Sequence, residues 1–195
     1  IKTLGSSMVK LHNIVRISID DFIAMPCSEY NKFKDGHKYD IFETITQVRG
    51  NLLPQDLAWL IEHCPKIMGR KKAFVKKILS VYTETEEIFK LMEESKFFHT
   101  KEVAQAYIKA SKNAFEVYTL MKYFPNCAPR TVRDLFLKKS PNAECLFRAI
   151  RDCPICRTPK VLKAFIAASP NAYYLGMAIV FCKYCRTPKV IKAFL

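Results

Sequence analysis

Apolar residues between positions 159 and 182 recur with the spacing of two α-helices. In the first segment, Val161 and Leu162 are followed four positions later by Phe165 and Ile166, so all four share one helical face. The second segment has a similar apolar face, formed by Ala172, Leu175, Ala178, Ile179 and Cys182. No segment of the chain sustains the two-residue alternation of a half-buried β-strand. The pattern therefore predicts an all-α protein.

Pairs of a hydroxyl residue and a proline mark the places where helices are expected to begin. The pairs are Ser140-Pro141, Thr158-Pro159, Ser169-Pro170 and Thr187-Pro188. A hydroxyl at the N-cap accepts a hydrogen bond from an unpaired backbone N–H, and proline suits the first helical position because no N–H is needed there. These pairs predict two helix starts in each repeating unit.

The same features return every 29 residues. Ser140 to Ala143 recurs as Ser169 to Ala172, and valine occupies one shared position in successive units, as Val103, Val132, Val161 and Val190. A pair of short helices cannot bury its apolar face alone, so such pairs stack on their neighbours. We therefore predict an α-solenoid of antiparallel helix pairs over residues 70–195, with a repeat of about 29 residues. We expect the array to continue beyond Leu195. Tetratricopeptide, ankyrin, armadillo and pentatricopeptide units are longer, and their signature residues are absent.

Residues 1–69 show the repeat only faintly, and we expect a helical capping region or degenerate repeats there. Apolar spacing from Met8 to Ile19 predicts a helix after Ser6-Ser7. Residues 26–36 are expected to form a loop because they end in Asp35-Gly36. Residues 41–48 and 56–63 are expected to be helical.

The charge of the chain is concentrated in its second half. Half of the 195 residues are hydrophobic and 26% are charged, which is typical of a folded protein, and the net charge is +14. Residues 1–95 carry a net charge of +1, residues 96–195 carry +13, and no acidic residue follows Asp152. This asymmetry predicts an anionic partner. No apolar run approaches the ~18 to 20 residues of a membrane span, so no membrane partner is expected.

Two CxxC pairs raise the question of a zinc site, since four thiolates at this spacing bind zinc in many proteins. The pairs are Cys153-Pro154-Ile155-Cys156 and Cys182-Lys183-Tyr184-Cys185. They occupy one repeat position, however, where the preceding unit has Phe124 and Cys127, as expected of a core position. We predict that these cysteines pack in the core and bind no metal, with zinc as the alternative. Reduced cysteines in a lysine-rich helical chain indicate an intracellular protein, cytoplasmic or nuclear.

Features typical of enzymes are absent from the sequence. There is no P-loop, no GxSxG motif and no glycine-rich phosphate loop. His63 and Cys64 are adjacent, but neighbouring helical residues point about 100° apart, which disfavours a base and nucleophile pair. We expect neither catalysis nor a cofactor or small-molecule substrate.

Basic residues recur at the predicted helix starts and form the candidate binding site. The predicted nucleic-acid-binding residues are Arg130, Arg133, Arg157, Lys160, Lys163, Arg186 and Lys189. Cations there oppose the helix dipole, whereas a helix start with free N–H groups favours a phosphate. A simple duplication of solvated lysines is the alternative origin of this pattern. A further cluster, Arg70 to Lys72 with Lys76 and Lys77, suits a solvated face, a phosphate contact or a nuclear-import signal.

These observations together predict a non-catalytic helical-repeat scaffold. The leading partner is RNA or DNA, bound by phosphate tracking along the basic residues with little base readout. The alternative partner is an acidic protein or peptide in the same groove.

Overall fold

The computed structural model describes residues 16–17, 39–40, 54–63 and 71–195, except Pro170. Apart from one two-residue strand pair, the regular structure of these residues is helical, which confirms the predicted all-α class. The chain forms two compact units, Ile1–Ala106 and Tyr107–Leu195. The sequence repeat is instead expected to begin at residue 70. Compactness in space and self-similarity in sequence are different properties, so the boundary between the two units does not test the predicted start of the repeat.

The helices are short and follow each other closely along the chain. They are α1 (Pro54–His63), α2 (Lys71–Val81), α3 (Thr85–Glu94), α4 (Lys101–Ala110), α5 (Ala114–Tyr123), α6 (Val132–Lys138), α7 (Ala143–Asp152), α8 (Pro159–Ala168), α9 (Ala172–Phe181) and α10 (Pro188–Phe194). Three-residue 3₁₀ helices lie at Lys96–Phe98, Pro154–Cys156 and Lys183–Cys185. No helix in the described ranges combines the length and the apolar character that a bilayer crossing requires.

Among its described residues, the first unit contains one exception to the helical prediction. Arg16–Ile17 pairs antiparallel with Tyr39–Asp40, so the helix expected from Met8 to Ile19 is wrong at residues 16–17. The predicted helix at 56–63 is confirmed as part of α1, which packs against α3. The predicted loop at 26–36 and the predicted helix at 41–48 lie outside the described residues.

The second unit is a row of helices with a second set resting on it. In the row, α5 packs against α7 and α7 against α9. We call these the second helices. The first helices, α6, α8 and α10, rest on α5, α7 and α9 respectively. Val132, Val161 and Val190 place one fully buried valine in each first helix.

Threonine and asparagine side chains, rather than serine, cap α5 and α7 to α10. Thr158 Oγ1 accepts a hydrogen bond from the Val161 N–H at 3.4 Å and Thr187 caps α10 in the same way, so these two predicted starts are confirmed. α7 and α9 begin two residues later than predicted, after the N-caps Asn142 and Asn171, and α5 begins after the equivalent Asn113. The Ser169 hydroxyl is engaged elsewhere, because it donates to the Phe165 carbonyl in the last turn of α8.

Candidate functional site

A large groove lies between α8 and α10 in the second unit. It has a volume of about 920 Å³. Its wall is formed by Pro159, Lys160, Leu162, Lys163, Ile166, Ala167, Tyr184, Thr187 and Lys189. The lining is mostly apolar, and three lysines contribute to it. A groove of this kind accommodates apolar side chains on its floor and acidic groups at its rim.

A smaller groove of about 370 Å³ lies on the other side of α8, towards α6. It is lined by Leu137, Ser140, Pro141, Leu146, Lys160, Lys163, Ala164 and Ala167. Lys160, Lys163 and Ala167 therefore contribute to both grooves. The two grooves exist because each first helix rests on a second helix, while the contacts between neighbouring first helices are sparse.

The Lys160 ammonium group is neutralised by a carboxylate of the protein. Its Nζ donates to Asp134 Oδ1 at 2.8 Å. The hydrogen bond from Lys160 lowers the pKa of Asp134, against the opposing effect of its desolvation. Both side chains are exposed, so the pair adds little to the stability of the fold. Because Lys160 lines both grooves, the pair neutralises one positive charge in each of them.

At the 29-residue offset, the two residues of this ion pair correspond to two lysines that line the larger groove. A shift of 29 residues moves Asp134 onto Lys163 and Lys160 onto Lys189. Lys163 and Lys189 are exposed, and both line the groove between α8 and α10. Where the preceding unit has the Asp134 carboxylate, the wall of the larger groove therefore has the positive charge of Lys163.

Two of the predicted ligands, Arg157 and Arg186, hold the ends of helices. The Arg157 guanidinium donates from Nε to the Ile150 carbonyl at 3.2 Å and from Nη2 to the Arg151 carbonyl at 2.9 Å. Arg186 makes the same two bonds to the carbonyls at the end of α9, at 2.8 and 2.9 Å. A cation at the C-terminal end of a helix is favourable because it pairs with unbonded carbonyls. These two arginines therefore have a role in the fold.

The two remaining arginines of the predicted set lie near the start of α6. Arg130 is exposed and precedes the helix, whereas Arg133 is half-buried. The buried Arg133 Nε has no hydrogen-bond partner, since its nearest carboxylate oxygen, on Asp134, is 3.7 Å away. At the 29-residue offset Arg133 is equivalent to the buried Leu162, which agrees with the partial burial of the Arg133 side chain. Neither arginine lines either groove.

The helix starts offer fewer free N–H groups than the sequence suggests. Pro159 and Pro188 occupy the first helical positions and have no N–H. The Thr158 and Thr187 hydroxyls accept the N–H groups of Val161 and Val190. A phosphate at either start would compete with these caps, so the backbone adds little to anion binding there.

The second unit has few acidic groups to balance its lysines and arginines. Residues 107–195 contain 16 basic and 4 acidic side chains, a net charge of +12. Each of the four acids already contacts the unit itself: Glu116 accepts from the Lys112 N–H, Asp134 from Lys160, Glu144 from Arg148 and Asp152 from Arg151. The lysines around the larger groove therefore have no spare acid to pair with in this unit.

The four CxxC cysteines lie in the core. Cys153, Cys156, Cys182 and Cys185 are at most 5% exposed. Burial raises the pKa of Cys153, Cys156 and Cys185 to about 12, so these thiols stay protonated at neutral pH. A protonated thiol packs well but is not the metal-binding form. Among the described residues, no three His, Cys, Asp or Glu side chains gather around a common point.

The apolar floor of the groove does not follow from the sequence pattern. Leu162 and Ile166 belong to the apolar face of α8, which predicts core residues, but both also line the larger groove. The depletion of acidic residues likewise does not reveal that the remaining acid Asp134 pairs with Lys160. An alignment of the units at the 29-residue offset contains this signal, since it sets Asp134 against Lys163 and Lys192.

No protein-family model, curated protein or solved structure matches this chain.

Proposed function

We propose that the chain is a non-catalytic helical-repeat scaffold that binds an anionic macromolecule. The solenoid architecture is supported by helix starts at Pro159 and Pro188, 29 residues apart, and by the continuous row of second helices. The buried, reduced thiols support an intracellular location, in the cytoplasm or the nucleus. The partner binds on the side of the first helices, where the grooves lie.

Nucleic acid is one candidate partner, supported by the net charge of +12 over residues 107–195. Lysine and arginine side chains neutralise phosphates without reading sequence. Of the seven residues predicted for this role, however, Arg157 and Arg186 bond to backbone carbonyls and Lys160 is paired with an acid. This leaves few cations for a regular track of phosphates.

An acidic protein segment is the other candidate, and one observation favours it: the larger groove has an apolar floor beneath its lysines. Leu162, Ile166 and Ala167 offer nothing to a phosphate backbone, whereas they match the apolar face of an amphipathic helix. Bases can stack on aromatic rings, but Tyr184 is the one aromatic residue on the wall of this groove. We therefore favour an acidic protein partner, with RNA or DNA as the second candidate.

Direct competition tests the choice between these partners. The full chain is titrated into three fluorescein-labelled probes, namely a single-stranded oligonucleotide, a duplex oligonucleotide and an acidic amphipathic peptide, at two salt concentrations. We expect the peptide to bind most tightly and the oligonucleotides to stay within the non-specific range of ~10⁻⁴ to 10⁻⁶ M. The double charge reversal Lys160→Glu with Lys163→Glu should abolish the preference for the peptide.

A matched reversal in the first unit provides the control. Lys72 and Lys76 are exposed, lie one turn apart on α2 and belong to the other basic cluster. Lys72→Glu with Lys76→Glu changes the net charge by the same amount and should leave peptide binding unaltered. Equal losses from both double variants would mean that total charge, and not the groove, attracts the probe. Tighter binding of either oligonucleotide would establish nucleic acid as the partner.

A further inference from the structure

We infer that Lys163 and Lys189 bind a carboxylate of an acidic amphipathic helix whose apolar face lies in the groove between α8 and α10. This inference rests on the proposed function and assigns the position at which the partner's charge is read. In this arrangement the two lysines attract an acidic residue of the partner, and the apolar floor contacts the apolar face of its helix.

The first support comes from the preceding unit, where the equivalent lysine already has a carboxylate partner. There the Asp134 carboxylate lies 2.8 Å from Lys160 Nζ. At the 29-residue offset the lysine is kept as Lys189, but the aspartate becomes Lys163. The protein thus contains one complete ion pair and, in the next unit, a copy of it in which the acid is missing.

The second support is the charge around this position. Lys163 and Lys189 both line one apolar groove, which places two positively charged side chains on its wall. Among residues 107–195, the four acidic side chains already contact other groups of the unit. An external carboxylate in the groove would be attracted by both lysines, and beside Lys189 it would take the place that Asp134 has beside Lys160.

The third support is the shape and chemistry of the floor. The groove volume of about 920 Å³ is large enough for several side chains. Leu162 and Ile166 lie one turn apart on α8, so they can contact apolar residues at i, i+3, i+4 and i+7 of a docked helix. An acid on the flank of that helix then reaches the lysine pair, as charged rim residues do at protein interfaces.

The experiment uses the full chain and two labelled helical peptides. One peptide is apolar at i, i+3, i+4 and i+7 with glutamate on both flanks, and the other has lysine in place of every glutamate. The key variant is Lys163→Asp, which recreates beside Lys189 the arrangement that Asp134 has beside Lys160. We expect it to weaken binding of the acidic peptide roughly tenfold, as expected for the loss of one or two exposed ion pairs.

Folding and binding are separated by the same variant. Because Lys163→Asp can form an internal ion pair, its melting temperature should equal or exceed that of the wild type. Lys189→Asp provides an independent removal of the pair and should weaken binding to a similar extent. Asp134→Lys, which removes the acid that pairs with Lys160, should not weaken binding, and neither should the distant charge reversal Lys72→Asp.

The outcomes distinguish failure of this inference from failure of the proposed function. If the wild type binds the acidic peptide and Lys163→Asp binds it equally well, the lysine pair is not the site, although the scaffold function stands. If the wild type binds neither the acidic peptide nor either oligonucleotide, the proposed function is wrong as well. An Asp134→Lys loss as large as that of Lys163→Asp, or displacement of the peptide by a more tightly bound oligonucleotide, would also overturn the assignment.

Discussion

Replacement of Asp152 by asparagine should destabilise the second unit in a pH-dependent way. Asp152 ends α7, and its carboxylate accepts bonds from Arg151 at 2.6 and 3.0 Å and from the Tyr118 hydroxyl of α5 at 2.6 Å. Lys122 of α5 lies 3.6 Å away. The hydrogen bonds from Arg151, followed by the bond from Tyr118, lower the pKa of Asp152 from 3.8 to about 2, although desolvation opposes the change.

The size of the effect follows from this pKa difference. A decrease of almost two pH units corresponds to about 2.4 kcal/mol at ~1.36 kcal/mol per unit. The side chain is 17% exposed, and asparagine can still accept the Tyr118 bond, so we expect Asp152→Asn to cost about 1–2 kcal/mol at pH 7. Because the pKa is lower in the folded state, this stability is present above the ordinary pKa and is lost as the pH falls through about 2.

Chemical denaturation followed by far-ultraviolet circular dichroism measures the difference between wild type and variant. Trp59, the single tryptophan, belongs to the first unit, so its fluorescence is the wrong probe for α5 and α7. Glu144→Gln is the matched control, because it breaks the exposed Glu144–Arg148 pair and should cost only ~0.3–0.5 kcal/mol. Equal costs for the two variants, or an Asp152→Asn cost that stays constant from neutral pH down to 2, would refute the reasoning.

Two further predictions concern the backbone and the cysteines. Ser140 has a φ of 50°, so Ser140→Gly should raise the unfolding free energy by roughly 0.5–1 kcal/mol in the same denaturation assay. Ser169 has a φ of −102° and its hydroxyl donates to the Phe165 carbonyl, so Ser169→Gly should lower the unfolding free energy. A change of the same sign in both variants would contradict the argument. Elemental analysis of protein purified without chelator should detect no stoichiometric zinc, because Cys153 and Cys156 are buried in the core and, among the described residues, no three potential ligands gather around a common point. Stoichiometric zinc that is lost on Cys153→Ser would show the packing interpretation to be wrong.

Sequence reasoning about the fold succeeds where the determinants are local. Thr158-Pro159 specifies a helix start within four residues, since the hydroxyl, the proline ring and the capped N–H all belong to one turn. The serine of Ser169-Pro170 fails as a cap because its hydroxyl has a closer acceptor in the preceding helix. Arg16–Ile17 is strand because it pairs with Tyr39–Asp40, a distant segment that helical periodicity cannot detect.

The candidate site was predicted in part for the same reason. The sequence locates Lys160, Lys163 and Lys189 near helix starts, and the structure brings these three to one groove. It does not reveal that Arg157, seven residues after Ile150, folds back to the end of the previous helix. His99 occupies the corresponding position in the first unit, and its Nε2 lies 2.7 Å from the Met92 carbonyl, so the same contact recurs with another side chain. The net charge alone does not distinguish a basic side chain that caps the end of a helix from one that is available to bind a ligand.

Repetition explains how a binding position can arise from a structural one. In the unit with Asp134, the lysine at the next first helix, Lys160, is neutralised within the protein. Exchange of the aspartate for Lys163 leaves the helices in place, because these side chains are exposed and contribute little to stability. The cost to the fold is therefore small, whereas the electrostatic effect is a change of two charge units beside an apolar groove. A repeat protein can acquire a ligand site in this way without a new fold. The residues that determine which ligand binds are then expected at positions where the charge of one unit differs from that of its neighbours.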